Sequence, residues 1–337
     1  MSIGFHAMPD YQLIDRYNRH LNYLRISITD RCNLRCIYCV PADRLRRLSH
    51  ADILRYEEIL RLAEVGVGLG ISKVRVTGGE PLVRRGAGDF LADLSQIPGI
   101  AEVTLTTNGI LLKENITRIK NAGIRRLNIS LDTLQKAKFR RITGDDLFDQ
   151  VWKGIMAASD VGINPIKLNV VALRGVNDDE FLAFAGLTRD YPFHIRFIEY
   201  MPIGKARMKF GPPLLVTEIK EKLSPLGLLV PIEKDPGDGP AERFRIKNAV
   251  GEIGFISALS HHFCNSCNRL RLTASGQLRP CLLSDRQHDL KGPLRNGVSD
   301  EKLADIFCRA VLNKPSDHSL TVNEPSGVTC QMSSIGG

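Results

Sequence analysis

Six short stretches with strand character alternate with helical patterns over the first two-thirds of the chain, and they divide their residues in the same way. Aliphatic side chains hold one alternating set of positions and polar side chains the other. Leu24, Ile26 and Ile28 oppose Arg25, Ser27 and Thr29; Val74 and Val76 oppose Arg75 and Thr77. Val103 and Leu105 oppose Thr104 and Thr106, while Leu127, Ile129 and Leu131 oppose Asn128, Ser130 and Asp132. The βα alternation implies a parallel sheet. Had helices covered both of its faces, its strands would read as continuous apolar runs. A recurring polar face instead predicts a barrel, or a cleft in one, that holds a polar ligand.

The predicted strands are Tyr23–Thr29, Lys73–Thr77, Glu102–Thr106, Arg126–Leu131, Ile166–Leu173 and His194–Tyr200. Helices are expected over Ile53–Val65, capped by Ser49, then over Asp89–Ile97, Glu114–Asn121, Phe148–Ala158 and Asp179–Arg189. Six strands fall short of the eight that close a parallel barrel, so the barrel should be incomplete, with its ligand at the carboxyl ends of the strands. Beyond Pro202 the pattern changes, and Asp235-Pro-Gly-Asp-Gly-Pro240 reads as a boundary. The expected division is an N-terminal extension over 1–19, a barrel unit over 20–235 and a smaller C-terminal unit over 236–337, with a helix over Asp300–Leu312.

Lys and Arg number 46 against 37 Asp and Glu, a formal net charge of +9. Such an excess fits nucleic acid, an anionic membrane surface or a phosphorylated small molecule. No basic block or aromatic-basic stripe favours nucleic acid. No apolar run approaches the roughly 18 residues of a membrane span, and residues 1–15 lack the basic-then-apolar layout of a secretory signal. A cytoplasmic protein is expected, and eight cysteines in 337 residues are too few for a disulfide scaffold.

Their spacing carries more information than their number. Cys32, Cys36 and Cys39 follow the first strand as Cys-x3-Cys-x2-Cys, and Cys264, Cys267 and Cys281 form a second set as Cys-x2-Cys-x13-Cys. A closed zinc site wants four ligands, so each set is one short. An iron–sulfur cube held by three thiolates leaves one iron open to bind something else. Zinc with a ligand from elsewhere remains the alternative for both sets, His261 and His262 being candidates at the second. Arg269 and Arg271 lie two apart just after Cys267, so in an extended segment they face the same way.

Tyr38 between the last two cysteines of the first set, and the strand end Gly78-Gly79-Glu80-Pro81, make the chain resemble the radical S-adenosylmethionine superfamily. The second triplet, with Arg25-Ile-Ser-Ile-Thr-Asp-Arg-Cys32, Thr106-Thr-Asn-Gly109, Asn128-Ile-Ser-Leu-Asp132, Glu199-Tyr-Met-Pro202 and a terminal Gly336-Gly337, narrows the resemblance to the GTP 3',8-cyclase family. The segment Gly204-Lys-Ala-Arg207 departs from that pattern.

The resemblance implies an α/β fold, an incomplete (βα)6 TIM-type barrel with a smaller C-terminal cluster-binding domain. It implies two [4Fe–4S] clusters on Cys32, Cys36 and Cys39 and on Cys264, Cys267 and Cys281. S-adenosyl-L-methionine would meet Tyr38, Gly79, Ser130 and Met201, and GTP would meet Arg25, Arg75, Thr106, Lys167, Arg269, Leu270 and Arg271. A 5'-deoxyadenosyl radical would remove the ribose 3' hydrogen of GTP, with Arg25, Arg269, Arg271, Gly336 and Gly337 serving catalysis. The implied partners are GTP, an electron donor, a downstream enzyme that turns the cyclic product into cyclic pyranopterin monophosphate, and a second copy in a homodimer; nucleic acid and membrane are not expected.

Two other readings stand at this point. A radical enzyme that modifies a protein or peptide would call for a peptide-binding module or a larger C-terminal cysteine set, neither of which is visible in the sequence. A zinc-stabilised nucleic-acid binder would call for four-ligand sites. By default Thr106 and Ser130 satisfy backbone groups, Met201 and Cys308 fill core, and Cys330 has no assignment.

Overall fold

The architecture comes from a computed structural model that describes residues 12–39, 47–203, 212–233, 239–318, 320, 328–330 and 332–336. Its first half alternates as the sequence does. In order come β1 (Tyr23–Ser27), α1 (Tyr56–Gly68), β2 (Lys73–Thr77), α2 (Ala87–Gln96), β3 (Glu102–Thr107), α3 (Leu112–Asn121) and β4 (Leu127–Ser130). Then follow α4 (Lys136–Thr143), α5 (Phe148–Asp160), β5 (Ile166–Ala172), α6 (Phe181–Asp190) and β6 (His194–Glu199). Each of the six expected strands forms.

The helices differ from expectation at two places. α1 begins at Tyr56 because Glu58 reaches back to the Arg55 amide at 2.7 Å and so caps the helix, whereas the Ser49 hydroxyl bonds to Asp52 instead. α4 was not expected, since Phe139 and Ile142 give it only a brief apolar stripe among basic residues.

The last third consists of α7 (Val216–Lys222), β7 (Val230–Ile232), β8 (Glu242–Arg245), β9 (Glu252–Ile256), β10 (Arg269–Leu272), β11 (Gln277–Arg279), β12 (His288–Asp289), α8 (Lys291–Arg295), α9 (Asp300–Leu312) and α10 (Met332–Ile335). Its strands extend the same sheet, whose order is β12-β11-β10-β1-β2-β3-β4-β5-β6-β9-β8-β7. β10 joins the free edge of β1 in parallel and β9 joins β6 in parallel, so the six-stranded barrel sheet gains a parallel strand at each edge. The remaining pairs, β10–β11, β11–β12, β8–β9 and β7–β8, are antiparallel. This is a partial TIM-type barrel. Among the described residues no helix is long and apolar enough to cross a membrane.

The aliphatic set forms the core: Leu24, Ile26, Val76, Leu105, Ile129, Leu168, Ile195 and Phe197 are fully buried together with Phe90, Ile155 and Phe184 of the helices. At roughly 1.5–3 kcal/mol for each such side chain, this layer holds the helices on the outside. The opposite face is left to polar residues. From residue 12 onward the expected N-terminal extension lies against the fold, with Leu13 bonded to Leu69 and both Asp15 and Arg19 buried. The boundary segment 234–238, the segment 204–211 and Gly337 lie outside the described residues.

Candidate active site

The polar face encloses a cavity of about 620 Å³ whose wall includes all six cysteines of the two triplets. None of the six is in a disulfide. The topology puts the triplets at opposite ends. The first follows the carboxyl end of β1, whereas Cys264 and Cys267 precede the amino end of the parallel β10, and Cys281 follows the antiparallel β11 and returns to that same end. A five-residue strand at about 3.3 Å per residue separates the ends by roughly 15 Å.

The first triplet's loop is docked by Arg35 and Ile37 amides on the Thr143 and Ile142 carbonyls at 2.8 and 2.9 Å. Tyr38 donates to Asp132 at 2.6 Å, and Asp132 also accepts from the Val171 amide at 2.8 Å. Burial pushes Asp132 up to about 6 and Tyr38 well above the usual phenol range. Beside them burial raises the Cys32 thiol and, more strongly, that of Cys36. Gly79 permits close approach of two backbones: its amide donates to the Thr29 carbonyl at 2.7 Å, and a Cβ there would collide with the Arg31 carbonyl.

Glu80, from the same turn, does not face a ligand with a free carboxylate. It accepts from the Leu82 amide (3.0 Å), the Thr107 hydroxyl (2.8 Å) and the Asn108 amide (2.6 Å), and thereby fixes the ends of β2 and β3. Burial carries its carboxyl up to about 7 despite those bonds. Because this folded value exceeds the ordinary 4.5, Glu80 contributes stability that is fully present below pH 4.5 and is lost as pH rises through about 7. Glu80→Gln should therefore flatten the pH dependence of the cluster-free chain's stability between pH 4.5 and 7, by up to about 3 kcal/mol. Denaturant titrations at pH 4.5 and pH 8 measure this, and an unchanged difference in the variant would refute it.

The second triplet sits on a short turn, Cys264–Ser266, closed by the Cys267 amide on the Cys264 carbonyl at 3.1 Å. Burial alone would raise Cys267, but Arg269 and Lys314 bring its thiol down to about 6. His262 and His318, with rings 3.9 Å apart, place ligand atoms within 4.8 Å of Cys264, so the sequence's histidine alternative is geometrically available through His262, while His261 is not in that group.

Between the triplets, register aligns three arginines. Arg271 of β10 pairs with Arg25 of β1, which pairs with Arg75 of β2, followed by Thr104 of β3. All face the cavity. Burial and the charges of Arg271 and Arg75 pull Arg25 well below its usual value; burial and Arg269 bring Arg271 to about 10. Neighbouring strands lie about 4.8 Å apart, so this row of like charges is costly without an anion between them. Arg271 also donates to the Gly336 carbonyl at 2.7 Å, which brings the chain's end into the site.

Models of the radical SAM superfamily and of molybdenum cofactor synthesis C match residues 26–188 and 193–320. The GTP 3',8-cyclase of Moorella thermoacetica is 52% identical over 306 residues, covering 91% of this chain and 95% of its own. The chain belongs to the GTP 3',8-cyclase family. Among other GTP 3',8-cyclases, that of Heliobacterium modesticaldum is 48% identical over 96% of this chain and all of its own, and that of Pelotomaculum thermopropionicum 47% identical over 96% and 99%. The crystal structure of Streptococcus suis SuiB bound to S-adenosylmethionine superposes with a TM-score of 0.62 over 86% of this chain and 69% of that one. At 14% identity this likeness concerns the fold alone and lends nothing to a peptide-modifying reading.

In this member of the GTP 3',8-cyclase family, Arg25, Arg75, Thr106, Lys167, Arg269 and Arg271 line the cavity, as do Tyr38, Gly79, Ser130 and Met201. Leu270 does not: the alternation that points Arg269 and Arg271 inward buries its side chain in the core. Gly336 is buried beside Ser27 and Thr77. The sequence reading missed Asp132, Asn108, Asn169, Arg196, Arg279 and Lys314. Arg196 and Asn169 occupy the same polar phase as Lys167 on paired strands, a signal the alternation carried. Arg279 is fully buried and donates to Cys330 at 3.0 Å, giving that cysteine a place next to the tail. Cys308 packs on α9 against the core.

Proposed function

We propose that this chain converts GTP to 3',8-cyclo-7,8-dihydroguanosine 5'-triphosphate, the first step of molybdenum cofactor biosynthesis, with S-adenosyl-L-methionine and two [4Fe–4S] clusters. The observation that carries this reading is the cavity-facing row Arg271–Arg25–Arg75 between two three-thiol sets at opposite ends of one cavity. A triphosphate neutralises such a row. The residues fit the implied groups: the three cysteines of each set line the same cavity, and the Thr106 hydroxyl and the Asn169 side-chain oxygen Oδ1 are buried with no hydrogen-bond partner among the described residues.

Cys32, Cys36 and Cys39 would hold one cluster and Cys264, Cys267 and Cys281 the other. When bound, the first with S-adenosylmethionine would supply the radical chemistry for removing the ribose 3' hydrogen, and the second would supply a site for the guanine. The Tyr38–Asp132 bond holds the first loop in place, while Gly79, Ser130 and Met201 shape the cofactor's side of the cavity. Arg25, Arg75, Lys167, Arg269 and Arg271 grip triphosphate and ribose, and Thr106 donates its unused hydroxyl. Holding the 3' carbon near C8 of the guanine in the same nucleotide makes the ring closure unimolecular. Gly336 closes the pocket against water and stray hydrogen donors, with the Arg271 bond holding it in.

The reading also entails a donor of two single electrons per turnover, one to cleave the cofactor and one that, with a proton, quenches the ring-closed radical; it further entails a downstream enzyme that converts the cyclic product to cyclic pyranopterin monophosphate, a cytoplasmic setting and a homodimer. Its test is anaerobic incubation of reconstituted protein with S-adenosylmethionine, a strong reductant and each nucleoside triphosphate in turn. GTP should give 5'-deoxyadenosine and the cyclic nucleotide together; 5'-deoxyadenosine formed independently of GTP would count against the substrate. In the same assay Arg25→Met should raise KM for GTP about 10- to 100-fold through loss of a charged contact. The cluster-free variant should meanwhile resist denaturant better than the parent, because one of three mutually repelling, register-aligned cations is gone. An unaltered KM would dismiss the row as the phosphate site.

A further inference from the structure

Immediately after α9, residues 314–316 meet every segment that carries a cysteine of the second triplet. Lys314 is 4% exposed, and its ammonium donates to the Arg269 carbonyl at 2.9 Å and the Pro280 carbonyl at 2.6 Å. Arg269 stands two residues after Cys267, and Pro280 immediately before Cys281. Arg19, 6% exposed, donates through Nη1 to the Cys264 carbonyl at 2.8 Å and the Ser316 carbonyl at 2.9 Å, and through Nη2 to the Pro315 carbonyl at 2.6 Å. Two buried cations, from opposite ends of the chain, thus fasten all three thiol-bearing segments to one hub.

Their charge environments differ. Arg19 is neutralised by Asp15 at 2.6 Å, a carboxylate that also accepts from the Tyr17 and Arg19 amides at 2.9 and 3.0 Å. Both hydrogen-bond acceptors of Lys314 given by the described residues are neutral carbonyls, one of them on the residue before Cys281, and Lys314 lines the cavity together with Cys267 and Cys281. A buried ammonium without a carboxylate is expensive unless anions lie close by.

We infer that Lys314 and Arg19 are positioning residues of the second three-thiol site: both hold its backbone in the cluster-accepting shape, and of the two only Lys314 also adds its positive charge to that of Arg269 at the sulfurs. The inference rests on the reading of that triplet as an iron–sulfur site. Second-layer groups of this kind govern both metal retention and redox poise. A positive charge beside a cluster stabilises its reduced form, so removing the charge moves the potential to more negative values.

The test uses anaerobically reconstituted full-length protein and its Lys314→Met, Lys314→Arg and Arg19→Gln variants. Two readouts are taken, the rate of iron loss to a chelator and an electron paramagnetic resonance titration of each cluster, with the first cluster as internal reference. Lys314→Met should lose iron from the second site about 10- to 100-fold faster and shift that cluster's potential downward, leaving the first cluster unchanged. Lys314→Arg should bring the potential back toward the wild-type value. Arg19→Gln should speed iron loss with no shift in potential. Wild-type retention and potential in Lys314→Met would overturn the inference, and so would equal changes at both clusters in Lys314→Met and Arg19→Gln, which mark general loosening. A wild-type chain holding a single cluster would instead overturn the reading beneath it, and the inference with it.

Discussion

The Gly336→Val chain is expected to form cyclic product about 100-fold more slowly than the parent, or worse, while retaining the iron of both sites. Gly336 adopts φ +71°, a conformation that β-branched residues avoid. A Cβ there would lie 2.7 Å from the Thr77 methyl and 3.1 Å from the Ser27 Cβ, at the ends of β2 and β1. Neither strand can give way, since Ile26 and Val76 beside those residues are fully buried in the core. The tail must therefore withdraw, and the bond from Arg271 to the Gly336 carbonyl goes with it. Iron analysis and turnover on one reconstituted preparation separate the two effects. Thr77→Ser removes the closest methyl and should recover part of the loss in a Gly336→Ala background. Turnover of Gly336→Val within a few-fold of the parent would show that the tail has no part in closing the site.

Serine substitutions should divide the two triplets by function. Any of Cys32→Ser, Cys36→Ser or Cys39→Ser should reduce 5'-deoxyadenosine formation to background, because cofactor cleavage requires the cluster at the carboxyl end of β1. Cys264→Ser, Cys267→Ser and Cys281→Ser should leave cleavage measurable while cyclic product disappears, since the affected end of the cavity lies a strand's length away. Quantifying both nucleosides in one reaction gives the ratio directly. Cleavage that survives loss of a first-triplet cysteine would reject the division, as would product formed at the parent's rate after loss of a second-triplet cysteine.

Much of the barrel was legible because its information is local. A period-two split between aliphatic and polar residues needs only neighbours, so Arg25, Arg75 and Lys167 could be assigned to a lumen before any strand pairing was known. The same arithmetic applied to Arg269 and Arg271 excludes Leu270 from the cavity, as the structure finds. Pairing across long separations left no such trace. The Arg-Leu-Arg-Leu run of β10 does not announce that it will lie beside β1, and nothing in Ile253 or Phe255 marks β9 as the neighbour of β6.

Motif residues were visible without their purpose. Glu80 and Asp132 stand in recognisable strings, but only coordinates reveal that one ties two strand ends and the other holds Tyr38. Lys314 and Arg19 had no signal at all, since an isolated basic residue reads as a solvated charge until its surroundings are known.

The position of β10 bears on how the chain is made. Its pairing with β1, Arg25 opposite Arg271, spans nearly three-quarters of the 337-residue polypeptide, and β9 reaches β6 only after the intervening segment has been laid down. Until then the nascent sheet presents two unpaired parallel edges, β1 and β6, and the arginines of its polar face lack the wall that β10 supplies. Such edges readily recruit strands from other chains, and contacts between distant residues form late. Truncation before β9 should therefore yield an aggregation-prone fragment rather than a smaller folded barrel, and β10, bearing Arg269 and Arg271, is the last of the parallel strands to arrive during synthesis.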